Sequence, residues 1–479
     1  MSPDLYAGVS RRVINPPIGY EKVGLRLFGE AVQAIESDLT VTALVLSNDT
    51  DRVVIFACDL CLIPNPVIAE VRRQVAEAVG TPISHVMLNM SHTHSAPAFP
   101  GWMEVDPAQV ALKQCYQENF IRWTVEAADE ANQNLQPARI GAGWGQSDIG
   151  VYRRETGADG LDVLGEVPDH PIDTSVGVVR VDDLGGNAIA VMFSYGCHPV
   201  VVGPNSYVIS SDFPGAARAV IEQILGGTAM FMQGCGGNIN PRVGIGYEVD
   251  CRDNKNRVGA MLGGEVLKVA AGIRTNARQR ERKPLWNIPN ILFKPWIPVE
   301  GETCTYLGAV GETVRLEFSE LPTLEQAQTI HQQWQETLAE RQAKRAQAWE
   351  IRVAAKYTEW SRKLIEAVQD GHPTADLVLQ AMRVNDIVFT SLNVEAFFET
   401  GLSVRARSPF EHTLVFGFTN GSISYLPRAE DYPEGGWKLT ERYALPDRMP
   451  QAYGLPVALR PDSEQVAVEH LSAMIEGLL

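Results

Sequence analysis

The stretch HVMLNMSHTHSAP, from His85 to Pro97, joins an apolar run to two histidines that stand one residue apart. The chain has nine histidines in 479 residues, and His92 and His94 follow this run directly. In extended backbone, alternate side chains point to the same face. The sequence therefore predicts a strand that ends at two imidazoles able to converge on one metal ion. A bare HxH is equally compatible with surface or capping histidines beside a turn, so further ligands are needed.

The segments around this stretch alternate between strand-like and helix-like patterns. RVVIFACDLCLI (52–63) is typical of a strand, and PNPVIAEVRRQVAEAVG (64–80) has helical spacing of its apolar residues. The same alternation returns in AIAVMFSYGCHPVVVG (188–203), FPGAARAVIEQILGG (213–227) and TAMFMQ (228–233). This order predicts an α/β fold.

A long helical tract begins at Thr323, where Thr323 and Gln326 form a predicted capping box, and Gly371 ends it. Its apolar side chains recur at helical spacing and are expected to form a packing surface: Ile330, Trp334, Leu338, Trp349, Val353, Tyr357, Trp360, Leu364 and Val368. Strand-like runs then return in 386–401 and 413–427, before a Gly/Pro-rich loop around YPEGGW. We expect one domain over 1–479 with a helical elaboration at about 323–371.

Bulk composition excludes several classes of function. No window reaches the ~18 uninterrupted apolar residues of a membrane helix. The net charge of -17 repels phosphate backbones and anionic lipid, which predicts no nucleic-acid partner and no stable membrane association. The N-terminus lacks the pattern of a signal peptide, so a cytoplasmic location is expected. Seven scattered cysteines do not suggest a disulfide framework and are predicted to be free thiols.

Several polar residues stand where apolar runs end. They are His92 and His94, His198 after AVMFSYGC, Glu395 after IVFTSLNV, and Tyr425 after TLVFGFTNGSIS. In open α/β sheets ligands bind at the carboxyl ends of strands, so these side chains are predicted to meet at one rim. Imidazoles with a carboxylate suit a catalytic Zn2+ site. Taken singly, Glu395 is also compatible with a half-exposed strand end, and Tyr425 with a core aromatic.

Five motifs in a shared order resemble the catalytic domain of the neutral (non-lysosomal) ceramidase family: SHTHSAP, HPVVVGPNSYVISSDFPG, MQGCGGNINP, NVEAFFETG and NGSISYLP. The resemblance covers most of the chain to about Pro450 and is weakest in the helical tract. It implies a mixed-sheet α/β catalytic domain with surrounding helices. It also implies one Zn2+ per chain, held by four ligands: His92, His198, Glu395 and Tyr425.

By the same resemblance His94 is an active-site acid/base group rather than a ligand, and Arg153 in VYRRE anchors the substrate or the oxyanion. Departures from the family are also present. Gly234 stands at the family's serine position, and Trp437 replaces a second tyrosine. Relative to the family, the C-terminal immunoglobulin-like domain and the secretion signal are expected to be missing. These differences favour a cytoplasmic relative that acts on something other than membrane ceramide.

The GCGG segment that carries Gly234 is predicted to point backbone N–H groups at developing negative charge. Cys235 in the same segment raises the alternative of a thiol nucleophile, although attack by a metal-activated water needs no thiol.

The sequence thus predicts a zinc-dependent hydrolase that cleaves an N-acyl amide bond of a soluble small or medium-sized organic molecule. An ester or lactone substrate, or a non-catalytic metal-binding relative, are the alternatives. A metallo-β-lactamase-like hydrolase is disfavoured because Ala96 and Pro97 stand where that pattern requires an aspartate and a further histidine. Homo-oligomerisation stays open.

Overall fold

The computed structural model describes residues 5–23, 31–48, 50–100, 107–157, 162–299, 305–432 and 453–479. The predictions for Cys304, for Trp437 and for most of the YPEGGW loop lie outside these residues.

The strands of the first half are β1 (Tyr6–Val13), β2 (Lys22–Val23), β3 (Ala34–Ile35), β4 (Thr40–Ser47), β5 (Arg52–Cys58), β6 (Val86–Met90), β7 (Ala96–Pro97), β8 (Gln136–Gln146), β9 (Gly150–Thr156), β10 (Asp162–Val167), β11 (Ser175–Asp183), β12 (Ala188–Tyr195), β13 (Val208–Ile209), β14 (Thr228–Gln233) and β15 (Ile239–Pro241). Those of the second half are β16 (Ala277–Gln279), β17 (Lys283–Leu285), β18 (Ile288–Phe293), β19 (Trp296–Pro298), β20 (Leu307–Glu317), β21 (Thr374–Val384), β22 (Ile387–Leu392), β23 (Glu395–Ala396), β24 (His412–Phe416) and β25 (Tyr425–Leu426). The helices are α1 (Asn65–Val79), α2 (Pro107–Gln133), α3 (Asp212–Leu225), α4 (Arg252–Gly272), α5 (Leu324–Ala343), α6 (Ala348–Asp370), α7 (Phe398–Arg407) and α8 (Ser463–Glu476).

Two mixed sheets form the centre of the protein. The larger has the order β14-β12-β11-β8-β1-β4-β5-β6, with β5–β6 and β12–β14 parallel and the other pairs antiparallel. The smaller has the order β20-β21-β22-β24, with β22–β24 parallel. The predicted α/β class with a mixed sheet and surrounding helices is confirmed.

The larger sheet is covered on both faces, which explains why its central strands are apolar at consecutive positions. In β5, Val54 and Phe56 pack with α1 and α2, whereas Val53 and Ile55 pack toward Phe389 and its neighbours in the smaller sheet. Helices α3 and α4 cover β12 and β14 on the same side as α1 and α2. Because α8 packs on the outer face of the smaller sheet, the layers run helix, sheet, sheet, helix.

The two edges of the larger sheet meet through buried amides. Asn89 of β6 donates from Nδ2 to the carbonyl O of Gln233 in β14 (3.2 Å), and its Oδ1 accepts from the backbone N of Gln233 (2.7 Å). The same Nδ2 donates to the carbonyl O of Gly417, just beyond β24 (2.9 Å). Three strand ends from two sheets therefore converge beside Asn89.

The helical tract consists of two helices, α5 and α6, rather than one continuous run. Thr323 and Gln326 form the predicted capping box, and Gly371 ends α6 with a positive φ of 82°. The side chain of Trp360 is buried and its Nε1 donates to the carbonyl O of Leu455 (2.9 Å). Trp334, Tyr357 and Trp360 thus serve packing. No helix within the described ranges is long and apolar enough to cross a membrane.

The sequence prediction missed several elements. Helices α2 and α4 were not anticipated, and the strand-like run 386–401 ends in a helix, α7, because its last residues turn away from the sheet after Phe397. The extended segment β16–β19 was also missed. The six cysteines within the described residues are free, as predicted.

Candidate metal centre

The two histidines of the HTH motif are brought together by a turn rather than by a strand. His92 has a positive φ of 65°, so the alternation of side chains in extended backbone, on which the prediction relied, fails at this residue. Its backbone N donates to the carbonyl O of Leu60 (2.9 Å), which continues the chain beside the end of β5. The rings of His92 and His94 nevertheless lie 4.8 Å apart, centroid to centroid.

His198 and Glu395 reach the same point from two other strand ends. His198 follows β12, and Glu395 begins β23 just after β22. Oε2 of Glu395 lies 3.3 Å from Nε2 of His198 and 3.5 Å from Nε2 of His92. All three side chains are almost fully buried, and their ligand atoms lie within 4.8 Å of one another. Three separate segments of the chain therefore place two nitrogens and one oxygen around one point.

Backbone carbonyls fix the orientation of both imidazoles. Nδ1 of His92 donates to the carbonyl O of Cys61 and Nδ1 of His198 to that of Gly236, each at 2.8 Å. Each Nε2 is then left as a lone-pair acceptor that faces Glu395. Burial lowers the pKa of His92, and it lowers the pKa of His198 to about 3 with the help of the Arg153 charge. Neutral imidazoles are the form that binds metal.

Glu395 is held by a residue that the sequence did not reveal. The hydroxyl of Tyr453 donates to Oε1 of Glu395, while Oε2 has no hydrogen-bond partner among the described residues. Although burial opposes ionisation, the neighbouring His92 and His198 and the Tyr453 hydrogen bond hold the pKa of Glu395 well below its usual range. The carboxylate thus presents one free, ionised oxygen. No motif marked Tyr453, which lies 28 positions beyond Tyr425 in the chain.

Tyr425 and Arg153 form the fourth side of the cluster. The Tyr425 hydroxyl lies 3.5 Å from Nε2 of His198 and accepts from Nη2 of Arg153 (2.9 Å). Nη1 of Arg153 also donates to Oδ1 of Asn240 (3.2 Å), a second residue that the sequence prediction missed. Burial raises the pKa of Tyr425 well above its usual value, and the Arg153 charge opposes that rise. Arg153 therefore contacts a predicted ligand directly.

His94 lies beside the cluster without joining the three ligand atoms that face one another. Its ring centroid is 5.7 Å from that of His198, and neither ring nitrogen has a hydrogen-bond partner within the described part of the chain. Burial and the neighbouring histidines lower its pKa well below the usual value. A neutral imidazole with both nitrogens unoccupied can accept and return a proton.

The donor set fits a divalent transition metal. Unpartnered buried polar atoms are costly, yet within the described ranges His92 Nε2 and Glu395 Oε2 both lack a hydrogen-bond partner. Two imidazole nitrogens, a carboxylate oxygen and a nearby phenol oxygen match the ligand types of a catalytic zinc site. Cys61, His92 and His94 form a second combination of ligand atoms, but burial raises the pKa of the Cys61 thiol well above its usual value, which disfavours the thiolate form.

Comparison with known proteins shows what the chain is similar to. Residues 20–256 match the family model described as neutral/alkaline non-lysosomal ceramidase, N-terminal. The predicted resemblance to the neutral/alkaline non-lysosomal ceramidase family is confirmed over these residues. Neutral ceramidase A of Dictyostelium discoideum is 25% identical over 265 residues, which cover 51% of this chain and 36% of that protein. Neutral ceramidase B of the same organism is 24% identical over 213 residues, which cover 41% and 29%. The match thus spans about a third of the length of these relatives.

Solved ceramidase structures share the fold. The crystal structure of neutral ceramidase from Pseudomonas aeruginosa superimposes with a TM-score of 0.66 at 16% sequence identity, covering 100% of this chain and 75% of that one. The structure of a ceramidase complexed with C2 gives a TM-score of 0.67 at 15% identity, with the same coverage.

The segment at the family's serine position lies behind the cluster. The backbone N–H groups of Gly234 and Gly237 are occupied by the carbonyls of Tyr195 (3.1 Å) and Ala396 (2.8 Å). These two amides are therefore not free to bind an oxyanion, in contrast to the prediction for the GCGG segment. A Cβ on Gly234 would lie 3.2 Å from the backbone N of Gly196, so the glycine serves close backbone packing.

Cys235 points away from the cluster. Its side chain lines a separate small cavity with Asp173, Gly401 and Arg405, and its Sγ lies 3.9 Å from the carbonyl O of Val415. Burial raises the pKa of the thiol to about 12, which is unfavourable for a nucleophile. The structure thus brings six of the eight predicted site residues together. The other two do not join them, because the side chain of Cys235 points into another cavity and the N–H group of Gly234 already donates to a backbone carbonyl.

Proposed function

We propose that this chain is a zinc-dependent hydrolase that cleaves the amide bond of an N-acyl substrate, with one zinc ion held by His92, His198, Glu395 and Tyr425. One observation carries the proposal: Nε2 of His92 and Oε2 of Glu395, both buried, face each other and Nε2 of His198, and neither has a hydrogen-bond partner in the described part of the chain. The names of the similar proteins, neutral ceramidases, support an amide as the bond that is broken.

The residues around the ligands have distinct proposed roles. When bound, zinc supplies a Lewis acid for the carbonyl and lowers the pKa of water toward about 7. His94 takes the proton from the attacking water and returns it to the leaving nitrogen, since neither of its ring nitrogens has a hydrogen-bond partner among the described residues. Arg153 stabilises negative charge on the Tyr425 oxygen and next to it, while Tyr453 keeps Oε1 of Glu395 occupied so that Oε2 faces the metal.

We further propose a soluble, cytoplasmic substrate rather than membrane ceramide. Gly234 provides no hydroxyl at the family's serine position, and the net charge of -17 is unfavourable near anionic lipid. On this view the helices α5 and α6 are an elaboration of one hydrolase domain, since they pack on its C-terminal segment through Trp360.

The test combines metal analysis with hydrolysis assays. Purified protein, its His198→Ala variant and the control His470→Ala, which alters an exposed histidine on α8, are compared for bound zinc and for turnover of N-acyl amides, esters and lactones. We expect one zinc per chain in the wild type and the control, little zinc in His198→Ala, and fastest turnover of a soluble amide. Equal zinc in all three proteins would disprove the site. Zinc without any turnover would leave a metal-binding relative, and rapid turnover of long-chain ceramide would disprove the substrate class.

A further inference from the structure

An exposed arm, residues 277–298, extends from the edge of the domain. It consists of two consecutive antiparallel ribbons, β16–β19 at its base and β17–β18 toward its tip, where Leu285 pairs with Ile288. At its root the backbone N of Val299 donates to the carbonyl O of Asn276 (3.0 Å). In the part of the chain that the structure describes, the hydrogen bonds and ring contacts of residues 280–294 stay inside the arm. The seven residues from Arg280 to Trp286 lead from the base of the arm to its tip, which gives the arm a length of roughly 23 Å at the ~3.3 Å rise per residue of a strand.

The arm displays large apolar side chains on both of its faces. Trp286 at the tip is 89% exposed, and four more large apolar residues are at least two-fifths exposed: Ile288, Ile291, Leu292 and Trp296. An isolated two-stranded ribbon is only marginally stable in water, and contiguous exposed apolar surface is typical of an interaction site. The arm therefore lacks its packing partner within the monomer's described residues.

The charge of the arm is opposite to that of the rest of the chain. It contains five basic residues, Arg278, Arg280, Arg282, Lys283 and Lys294, all exposed, and one acidic residue, Glu281. The whole chain carries 58 acidic and 41 basic residues, so the body is strongly acidic. Because charges are screened beyond about 8 Å at physiological ionic strength, the tip acts as a separate cationic and apolar surface.

We propose that the arm docks on the acidic body of a second copy of this chain, so that two copies exchange arms in a homodimer. The charges are complementary, since each copy offers both a basic arm and an acidic body. Aromatic side chains bury about 150–250 Å2 each, so two arms with the surfaces they cover reach the ~1,200–2,000 Å2 of a stable interface. A two-fold dimer is also the commonest closed assembly.

The contact is made by side chains rather than by extension of a sheet. Pro284, Pro289 and Pro295 interrupt the row of backbone donors along the arm, and prolines of this kind block pairing with a further strand. An anionic bilayer would also meet the basic residues and the exposed tryptophan. A bilayer, however, offers nothing to offset its repulsion of a body with a net charge of -17. In the dimer two basic arms contact two acidic bodies, and these contacts offset the repulsion between the bodies.

Sedimentation analysis of the full chain over a range of protein concentrations tests the proposal. The arm variant Trp286→Ser/Ile291→Ser removes apolar surface, and a second variant, Arg280→Glu/Arg282→Glu, reverses charge. The matched control Ile224→Ser/Val249→Ser changes two side chains outside the arm that are 66% and 75% exposed. We expect a dimer in the wild type and the control, and a folded monomer in both arm variants. The wild-type dimer should also weaken as salt is raised.

Three outcomes would overturn the proposal. The first is a wild type that stays monomeric at every concentration. The second is a dimer that survives both arm variants. The third is a monomeric wild type that binds phosphatidylserine vesicles and loses this binding in the arm variants, since the occupant of the arm would then be a lipid surface. Every mutated side chain is exposed, so the variants should stay folded, and a cooperative thermal transition in each variant establishes this.

Discussion

The hydrogen bond from Tyr453 to Glu395 offers a sharp test of the metal centre. In Tyr453→Phe the ring stays while the donor to Oε1 is lost, so a buried carboxylate oxygen is left without its partner. Hydrogen bonds to charged groups contribute about 1.5–3 kcal/mol. Groups that orient a metal ligand in this way typically change affinity 10–100-fold when removed. At 1.4 kcal/mol for each factor of ten, both scales give about 1.4–3 kcal/mol. We therefore expect zinc affinity to fall 10–100-fold.

The assay is competition for zinc against a chromophoric chelator, with the wild type and Tyr453→Phe titrated under the same conditions. Tyr116→Phe is the matched control. Tyr116 is also buried, and its hydroxyl donates to the carbonyl O of Ile14 (2.7 Å), away from Glu395. The control should lose about 1 kcal/mol of folding stability and keep its zinc affinity.

An unchanged zinc affinity in Tyr453→Phe would refute the proposed role of this hydroxyl. A loss of equal size in both variants would also refute it, because the effect would then reflect general destabilisation. Zinc affinity that falls in Tyr453→Phe alone, with Tm lowered no more than in the control, is the result that the geometry predicts.

Three further predictions concern neighbouring residues. His94→Ala should keep its zinc but slow amide hydrolysis by roughly 10²–10⁴-fold, as measured by steady-state kinetics; full activity would make His94 structural. Burial raises the pKa of Asp212 to about 6 from its ordinary 3.8, so the folded state binds more protons between these values and stability falls as pH rises through them. Asp212→Asn should remove this fall in the free energy of unfolding, which amounts to up to about 3 kcal/mol. Urea denaturation at acidic and neutral pH measures it, and an unchanged pH dependence in the variant would contradict the prediction. Gly234→Ser should cost about 1–3 kcal/mol, since its Cβ would press on the Gly196 backbone at 3.2 Å, and should confer no ceramide turnover; a gain of such turnover would show that the missing hydroxyl alone limits the substrate.

The sequence revealed the fold class because period-2 and helical patterns are strong in the buried core. The capping box at Thr323 and the terminal Gly371 could be predicted because both depend on neighbours within four residues. Helix α7 could not, because its residues continue an apolar run that resembles a strand. The arm was missed because its large apolar side chains are exposed. Sequence patterns identify strands by apolar residues that become buried, and this signal is missing in the arm.

The candidate site was only partly predictable for a similar reason. His92, His198, Glu395 and Tyr425 were found through motifs, and the structure brings all four together. Tyr453 and Asn240 act through contacts between distant parts of the chain, and no local pattern encodes such contacts. The amides of the GCGG segment were assigned to an oxyanion because glycine leaves N–H groups accessible, but tertiary packing gives those of Gly234 and Gly237 to backbone carbonyls.

The candidate metal centre contains several residues with a left-handed backbone conformation. His92, Phe418 and Asn420 all have positive φ values, 65°, 52° and 59°, and each such residue other than glycine costs about 1–3 kcal/mol. Two hydrogen bonds hold the Asn420 side chain. Its Oδ1 accepts from the backbone N of Leu88 (2.9 Å), and its Nδ2 donates to Oε1 of Gln380 (2.7 Å). The two sheets thus fix this rim from both sides. The left-handed backbone at His92 directs Nε2 toward Glu395, so the strained conformation is needed for the arrangement of the ligand atoms. The packing of the two sheets, rather than the site itself, offsets the free-energy cost of this conformation.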